Sequence, residues 1–224
     1  MQPFDLGTAT AVFLSLAYIR RETPNATVVL YPSDHFVYPE DHFLNTVQVA
    51  VGAAQTLPEK LLLLGVTARG PELDYGWIQV GRDLGRFMGH RVSAADQFKE
   101  KPLFGKEDQL MGAGCLWNTL ILSVNADFLW SLGYYCFPDL MGRLEEFSDS
   151  LGEGDDEANL DALYRRLSRH DFSSELLEVL PDKIAVIELN GVLWSDWGRS
   201  ERIMESLAAR GAVPAFSLSS AATA

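Results

Sequence analysis

The chain has 224 residues, 47% of them hydrophobic and 22% charged, and a formal net charge of −13. Such a length and composition are typical of a globular protein with one buried core. No Lys/Arg cluster supplies the basic face that a nucleic-acid partner requires, so nucleic-acid binding is excluded. No run of eighteen apolar residues predicts a membrane span.

The cysteines and the amino-terminal residues indicate a reducing compartment. Cys115 and Cys136 are the two cysteines, both in apolar surroundings, which argues against a disulfide framework. Residues 1–5 lack the basic and apolar regions of a signal peptide. We therefore expect a cytoplasmic protein.

The amino-terminal part alternates between helix and strand patterns. Apolar residues at helical spacing predict a helix over 8–21, with Thr8 as its N-cap, and a second helix over 41–54. Aliphatic runs predict strands over 26–31 and 61–66, the latter apolar on both faces, as a sheet covered by helices on both sides requires. The alternation predicts an α/β fold, Rossmann-like, with a mostly parallel (mixed) sheet flanked by helices.

The rest of the chain is less regular. We predict strands over 75–80, 92–98 and 115–124, a helix over 127–147 with breaks at Gly133 and Pro138, an exposed acidic loop over 152–157, a helix over 159–170 and a last helix from Ser200. Apolar runs over 184–189 and 192–194 flank Asn190–Gly191, a dipeptide typical of a tight hairpin because both residues tolerate positive φ. We therefore expect one domain over 1–215 and a flexible tail over 216–224.

Two aspartates are candidates for a metal site. Asp34 follows the first apolar strand, and ligands of open α/β sheets bind beyond the carboxyl ends of strands. Asp196 lies far along the chain, next to the flexible Gly198. Two carboxylates are a sufficient protein contribution to a Mg²⁺ ion held mainly by phosphate oxygens and water. Each aspartate could equally serve as a turn residue.

The segment Lys99–Glu100–Lys101 and the amide of Asn118 are candidates for substrate contacts. A lysine there could neutralise a phosphate, and a glutamate could accept hydrogen bonds from sugar hydroxyls. A buried asparagine needs partners, which hydroxyl groups of a ligand could provide. A solvated strand end and a satisfied core asparagine are the alternatives.

Seven segments in order carry a resemblance to a known family. They are Gln2–Pro3 with 7–9, 28–35, 63–66, 75–78, 98–102, 116–119 and 194–198. Together they resemble sugar-1-phosphate nucleotidylyltransferases, and most of all the mannose-1-phosphate guanylyltransferases. The resemblance implies a fold of the nucleotide-diphospho-sugar transferase type.

The resemblance also implies roles for individual residues. Nucleotide-base contacts would come from Gln2 and Gly7, Mg²⁺ ligands would be Asp34 and Asp196, and sugar contacts would be Gly76, Glu100 and Asn118. Lys101, or its neighbour Lys99, would face the sugar phosphate. The implied reaction is attack of mannose-1-phosphate on the α-phosphorus of GTP, giving GDP-mannose and pyrophosphate, by positioning and charge neutralisation.

The sequence also departs from the family pattern. The family's first strand and the Gly-rich loop that cradles the triphosphate have no counterpart here. We therefore expect an N-terminally truncated fold with an unpaired strand edge, in which the missing loop impairs the transfer reaction. Such an edge favours a homo-oligomer or a complementing subunit. Asp5–Leu6 replaces the usual Asn-Arg, and Leu120 replaces a glycine.

Two alternatives to an active guanylyltransferase follow from these departures and from the acids. A non-catalytic regulatory subunit could bind the nucleotide sugar with the same fold. A glycosyltransferase would need an Asp-x-Asp pair at a strand end, and Asp34 has no such neighbour.

Overall fold

Helices cover both faces of one curved sheet in the computed structural model, which describes residues 2–152 and 154–213. The helices are α1 (Gly7–Glu22), α2 (Glu40–Thr56), α3 (Glu107–Gly112), α4 (Ala126–Cys136), α5 (Pro138–Ser150), α6 (Asp156–Tyr164) and α7 (Ser200–Ala209), with a π-helical turn over Ser173–Leu177 and a 3₁₀ turn over Pro181–Lys183. The strands are β1 (Thr27–Leu30), β2 (His35–Tyr38), β3 (Leu61–Thr67), β4 (Trp77–Phe87), β5 (His90–Lys99), β6 (Leu116–Asn125), β7 (Ile184–Glu188) and β8 (Leu193–Asp196). Within the described ranges, no helix is long and apolar enough to cross a membrane.

The sheet has six strands in the order β1-β6-β3-β7-β5-β4. A mixed sheet flanked by helices is confirmed, but parallel pairing is less frequent than predicted. Among the described pairings β3 and β7 run parallel, and the other neighbours are antiparallel. The short turn between β4 and β5 requires an antiparallel pair. In addition β4 pairs with β6, so this part of the sheet curls back on itself.

Strand directions bring distant segments to one edge. Because β1 and β3 each pair antiparallel with β6, they point the same way, and β7 runs parallel to β3. The carboxyl ends of β1, β3 and β7 therefore lie at the same edge as the start of β6. Ligands of α/β sheets bind at such an edge. The segments that follow β1, β3 and β7 carry Asp34, Gly76 and Asp196.

Strand β3 packs against helices on both faces, as its apolar sequence predicted. Leu61 and Leu63 belong to one hydrophobic cluster, with α1, α4 and α5, whereas Leu62 and Leu64 belong to the other, with α2. All four leucines are fully buried. Burying each one contributes roughly 1.5–3 kcal/mol relative to exposure. This central strand therefore fixes the edge at which the candidate site lies.

The prediction of a hairpin at Asn190–Gly191 is wrong. Both edges of β7 are already occupied by β3 and β5, so β7 cannot also pair with β8. Instead β8 pairs with β2 in a separate two-stranded sheet. Gly191 does adopt a positive φ of 72°, so the local turn signal was real. The partner of β8 is therefore set by long-range strand pairing and not by the turn.

Several local predictions also need correction. Thr8 does not cap α1, because the helix begins at Gly7 with Leu6 in the capping position. The break predicted at Gly133 is wrong, because Gly133 lies inside α4. The break predicted at Pro138 is confirmed, because α5 begins there. The helix predicted over 159–170 ends at Tyr164. The sequence did not reveal β2 or α3, and the predicted tail over 216–224 lies outside the described residues.

Candidate active site

Gly76 lies in a tight contact with two other predicted sugar-binding residues. A Cβ atom added at Gly76 would lie 2.7 Å from Oε2 of Glu100, 2.8 Å from Cζ of Phe98 and 3.2 Å from Cβ of Asn118. The carbonyl oxygen of Gly76 also accepts a 2.7 Å hydrogen bond from the Asn118 backbone N–H. The structure therefore brings Gly76, Glu100 and Asn118 together, although they lie in three separate segments.

Asn118 is buried, and a hydrogen bond from the backbone two residues further along the strand fixes the orientation of its side chain. Its Oδ1 accepts a 3.0 Å hydrogen bond from the backbone N–H of Leu120. Leu120 has a φ of +54°, a conformation that favours glycine. The glycine that the family pattern has here therefore has a conformational reason. In this chain the Asn118 side chain supports the same backbone shape around a leucine.

Glu100 is held in a partly buried, acidic environment. Burial, and then the nearby carboxylate of Asp171, raise the pKa of Glu100 to about 7, against the opposing effects of Lys101 and a hydrogen bond with Ser173. Near neutral pH this carboxyl group is thus divided between its protonated and ionised forms. It can donate or accept a hydrogen bond from a ligand hydroxyl.

The two lysines beside Glu100 have different surroundings. Lys99 forms a 2.6 Å ion pair with Glu178, whose other oxygen accepts the Glu100 backbone N–H at 2.9 Å. Lys101 adopts a φ of +42° and donates its backbone N–H to the Tyr75 carbonyl oxygen at 3.2 Å. Its charge acts on the carboxyl groups of Glu100 and Asp171. This geometry favours Lys101 over Lys99 as the lysine of the site.

The start of α1 is joined to the same group through Thr8 and Asp171. The Thr8 hydroxyl donates to Oδ2 of Asp171 at 3.1 Å and accepts the Phe172 backbone N–H at 2.8 Å. Burial opposes ionisation of Asp171, but hydrogen bonds from Ser174 and Thr8 hold its pKa below the ordinary value. Thr8 thus positions the charge that acts on Glu100.

Gly7 has a packing role that its family position did not suggest. Its φ is +85°, and an added Cβ would lie 2.2 Å from the His170 carbonyl oxygen. Its backbone N–H donates to Oδ1 of Asp5 at 2.8 Å. Gln2 is half-buried in the segment before α1. The described contacts do not join Gln2 to the group around Glu100.

Asp34 and Asp196 lie next to each other at the end of the β2–β8 pair. His35 is directly opposite Asp196, and the Trp197 backbone N–H donates to the Asp34 carbonyl oxygen at 2.8 Å. Burial lowers the pKa of the His35 ring, and the charges of Asp34 and Asp196 oppose that shift. Asp34 itself is exposed. The structure therefore places the two predicted metal ligands on paired segments, and the charges of both act on the His35 imidazole.

The Asp196 carboxylate is held on one side by Tyr75 and Arg202. Its Oδ1 accepts the Tyr75 hydroxyl at 2.7 Å and also pairs with the Arg202 guanidinium. Arg202 is buried, lies over the Tyr75 ring at 4.4 Å, and pairs with Glu72 at 2.9 Å. The second oxygen of Asp196, Oδ2, lies next to Gly198. A Cβ atom added at Gly198 would be 3.6 Å from it.

These carboxylates fit a magnesium ion in their donor chemistry. Mg²⁺ prefers oxygen ligands, and protein carboxylates bound to metals are themselves oriented by hydrogen bonds, as Oδ1 of Asp196 is by Tyr75. Within residues 2–152 and 154–213, no group of three or more His, Cys, Asp and Glu side chains could hold a metal. A metal here would therefore take most of its ligands from substrate and water.

Four residues of this arrangement were missed as functional candidates: Tyr75, Asp171, Glu178 and Arg202. Tyr75 stands directly before Gly76 in a segment that carries the family resemblance, so that position was the available signal. Asp171 and Glu178 lie far along the chain from Thr8 and Lys99, which they contact. Arg202 lies six residues from Asp196 but also reaches Asp74, 128 residues away. Only the folded chain reveals their proximity.

A cavity elsewhere in the described residues does not coincide with this site. It has a volume of about 720 Å³ and lies under the β4–β5 hairpin, between Arg86, Arg91 and Glu188. None of the eight predicted site residues lines it. Because Gly76, Glu100 and Asn118 converge by direct contacts, the candidate active site lies where they meet, apart from this cavity.

Comparison with known proteins assigns the family. A family model described as nucleotidyl transferase matches residues 1–210. The chain belongs to this family. A mannose-1-phosphate guanylyltransferase of Escherichia coli is 25% identical over 210 residues, which cover 92% of this chain and 44% of that protein. The alginate biosynthesis protein AlgA of Pseudomonas syringae pv. tomato is 26% identical over 202 residues, covering 90% and 37%.

Solved structures agree on the fold. The structure described as a mannose-1-phosphate geranyltransferase from Thermus thermophilus superposes with a TM-score of 0.74 and 21% identity, covering 88% of this chain and 53% of that one. Mannose-6-phosphate isomerase from Helicobacter pylori gives a TM-score of 0.69 at 20% identity, covering 87% of this chain and 73% of that one. The resemblance to sugar-1-phosphate nucleotidylyltransferases is thus confirmed. The chain spans less than half the length of the two curated relatives.

Proposed function

We propose that this protein contributes to nucleotidyl transfer from GTP to mannose-1-phosphate, giving GDP-mannose and pyrophosphate. The observation that carries the proposal is the convergence of Gly76, Glu100 and Asn118 at the same sheet edge as Asp34 and Asp196. The curated relatives that carry the name mannose-1-phosphate guanylyltransferase support guanine and mannose as the specific choices. Because both cysteines are free thiols, we propose a cytoplasmic location.

The sugar would bind beside Glu100 and Asn118, which the absence of a side chain at Gly76 allows to lie close together. These two side chains would bind ring hydroxyls, which fixes the orientation of the sugar phosphate. Lys101 would neutralise charge on the phosphate, since its neighbour Lys99 is already paired with Glu178. Positioning and charge neutralisation are the main requirements of phosphoryl-type transfer.

Asp34 and Asp196 would hold Mg²⁺ in this proposal. The ion, when bound, would supply positive charge to the phosphate oxygens. Tyr75 and Arg202 would hold Oδ1 of Asp196 and so fix the direction of its second oxygen. His35 faces Asp196 across the β2–β8 pair, and burial lowers the pKa of its imidazole.

One observation favours a second candidate, a regulatory subunit that binds the nucleotide sugar without turnover. The backbone N–H at the start of α1 donates to the Asp5 carboxylate, which also pairs with Arg169 at 2.7 Å. The start of a helix otherwise attracts an anion. An acid there disfavours a triphosphate at this position but leaves the sugar pocket intact.

Pyrophosphate release by the purified chain with GTP, mannose-1-phosphate and Mg²⁺ tests the proposal. We expect turnover that Asp34→Ala abolishes and that Asp161→Ala, on the exposed surface of α6, leaves unchanged. Differential scanning fluorimetry with GDP-mannose runs in parallel, with Asn118→Ala as the variant that should lose the response. Absence of turnover with retained, Asn118-dependent stabilisation favours the regulatory subunit. Absence of both turnover and stabilisation contradicts the proposal.

A further inference from the structure

The cavity under the β4–β5 hairpin has no role in the proposed reaction. Its volume of about 720 Å³ lies in the range of small-molecule sites. The floor is apolar and formed by Val80, Leu116 and Val186. Polar groups line two sides of this cavity, the hairpin tip and the carboxyl ends of β3 and β7, and the antiparallel pairing of Val92 with Ile187 brings these two sides next to each other.

The hairpin end carries an unusual pair of like charges. Arg86 on β4 is directly opposite Arg91 on β5, and both line the cavity together with His90. Directly opposite residues of an antiparallel pair share a face, and like charges in such positions repel each other. Asp83 pairs with Arg91 at 3.0 Å, and Arg86 donates to the Gly89 carbonyl oxygen at 2.9 Å, so Arg86 has no carboxylate partner among the described residues. In a chain with a net charge of −13, this local excess of cations stands out.

The carboxyl ends of β3 and β7 supply neutral and acidic hydrogen-bonding groups beside the two arginines. Glu188 lines the cavity and accepts the Thr67 hydroxyl at 2.7 Å through Oε1. The Asn190 amide also lines it. A carboxylate and an amide are groups that accept hydrogen bonds from hydroxyls. They would not attract an anion themselves.

We propose that this cavity is a second ligand site, which binds a small hydroxylated phosphate ester such as a sugar phosphate. The phosphate lies between the guanidinium groups of Arg86 and Arg91, whose planar forks match its oxygens. The bound dianion relieves the repulsion between the two arginines. The hydroxyl groups reach Glu188 and Asn190, which line the same cavity beside the arginines. This site is separate from the pocket of Glu100 and Asn118 and does not depend on the proposed function.

Isothermal titration calorimetry with glucose 6-phosphate, inorganic phosphate and glucose tests the proposal. We expect saturable binding of glucose 6-phosphate, weaker binding of inorganic phosphate and no binding of glucose. Arg86→Gln should weaken binding of the ester at least about tenfold, because a charge-assisted bond to the phosphate is lost. Arg82→Gln is the matched control, because Arg82 is an exposed arginine of the same strand that does not line the cavity.

Two further variants separate this cavity from the active-site candidate. Lys101→Met removes the lysine proposed for the sugar phosphate and should leave the titration unchanged. Asn190→Ala should weaken binding of the ester and leave binding of inorganic phosphate unchanged. The proposal is overturned if the wild-type chain binds no phosphate compound. It is equally overturned if Lys101→Met abolishes binding while Arg86→Gln retains it.

Discussion

The hydroxyl of Tyr75 donates a 2.7 Å hydrogen bond to Oδ1 of Asp196, across 121 residues of sequence. The carbonyl oxygen of the same tyrosine accepts the Lys101 backbone N–H at 3.2 Å. Tyr75 therefore links the pair of aspartates to the sugar-pocket group. This link connects the two halves of the candidate active site, and its disruption should be measurable even without substrate.

Tyr75→Phe removes the hydroxyl and keeps the ring under Arg202. We expect a loss of about 1 kcal/mol in the free energy of unfolding, since Asp196 loses one hydrogen bond. Urea unfolding measures it, with the exposed Tyr31→Phe as control. Equal stabilities of the two variants would contradict a structural role for this hydrogen bond.

Arg202→Met tests the ion-pair network at α7. The Arg202 side chain is only 9% exposed and has Glu72, Asp74 and Asp196 as partners. Its removal leaves three carboxylates close together, and we expect a loss of about 2–4 kcal/mol, reduced from a fully buried pair because the acids are partly solvated. Arg199→Met removes an arginine that is 54% exposed and should cost less than about 1 kcal/mol. The network argument fails if the two variants unfold at the same urea concentration.

Gly7→Ala tests the close approach of α1 to the loop at His170. Gly7 and Gly105 have the same φ of +85°, but an added Cβ lies 2.2 Å from the His170 oxygen only at Gly7, whereas nothing lies within 4 Å at Gly105. Gly105→Ala should cost about 1–2 kcal/mol from its backbone conformation. Gly7→Ala should cost more, by at least about 1 kcal/mol. Thermal unfolding compares the two, and a similar loss in both would exclude a packing role.

Glu100 should make stability depend on pH in a defined direction. Its pKa is about 7 in the folded chain, compared with an ordinary 4.5. Between these values the folded state binds a proton that the unfolded state has lost, so this group lowers stability as pH rises from about 4.5 to 7. Glu100→Gln should therefore gain stability relative to wild type as the pH rises, by about 3 kcal/mol between pH 4.5 and pH 8.

Denaturant unfolding of both proteins across this pH range provides the measurement. Glu157→Gln, at an exposed position of α6, is the control for the loss of an ordinary carboxylate. A difference between Glu100→Gln and wild type that stays constant with pH would show that Glu100 ionises normally.

The sequence by itself determined the parts of the fold that depend on local pattern. The continuous apolar run of β3 predicted a strand covered on both faces, and the helical spacing of α1 and α2 set their positions within two residues. Pro-Ser-Asp-His, Tyr-Gly-Trp-Ile and Trp-Asn identified the family because their order along the chain is visible without a structure. Their individual roles as ligands remain predictions.

Only the tertiary structure decided which segments meet. Asn190–Gly191 has the local signal of a hairpin, but β7 is occupied on both sides, so β8 pairs with β2. Asp196 acquires its partners Tyr75 and Arg202 by the same route, because hydrogen bonds and ion pairs across the fold leave no periodic trace in the sequence. Glu100 is an ordinary acid in the sequence, and burial beside Asp171 changes its chemistry. Local propensity is encoded residue by residue, whereas pairing and desolvation depend on the whole packed chain.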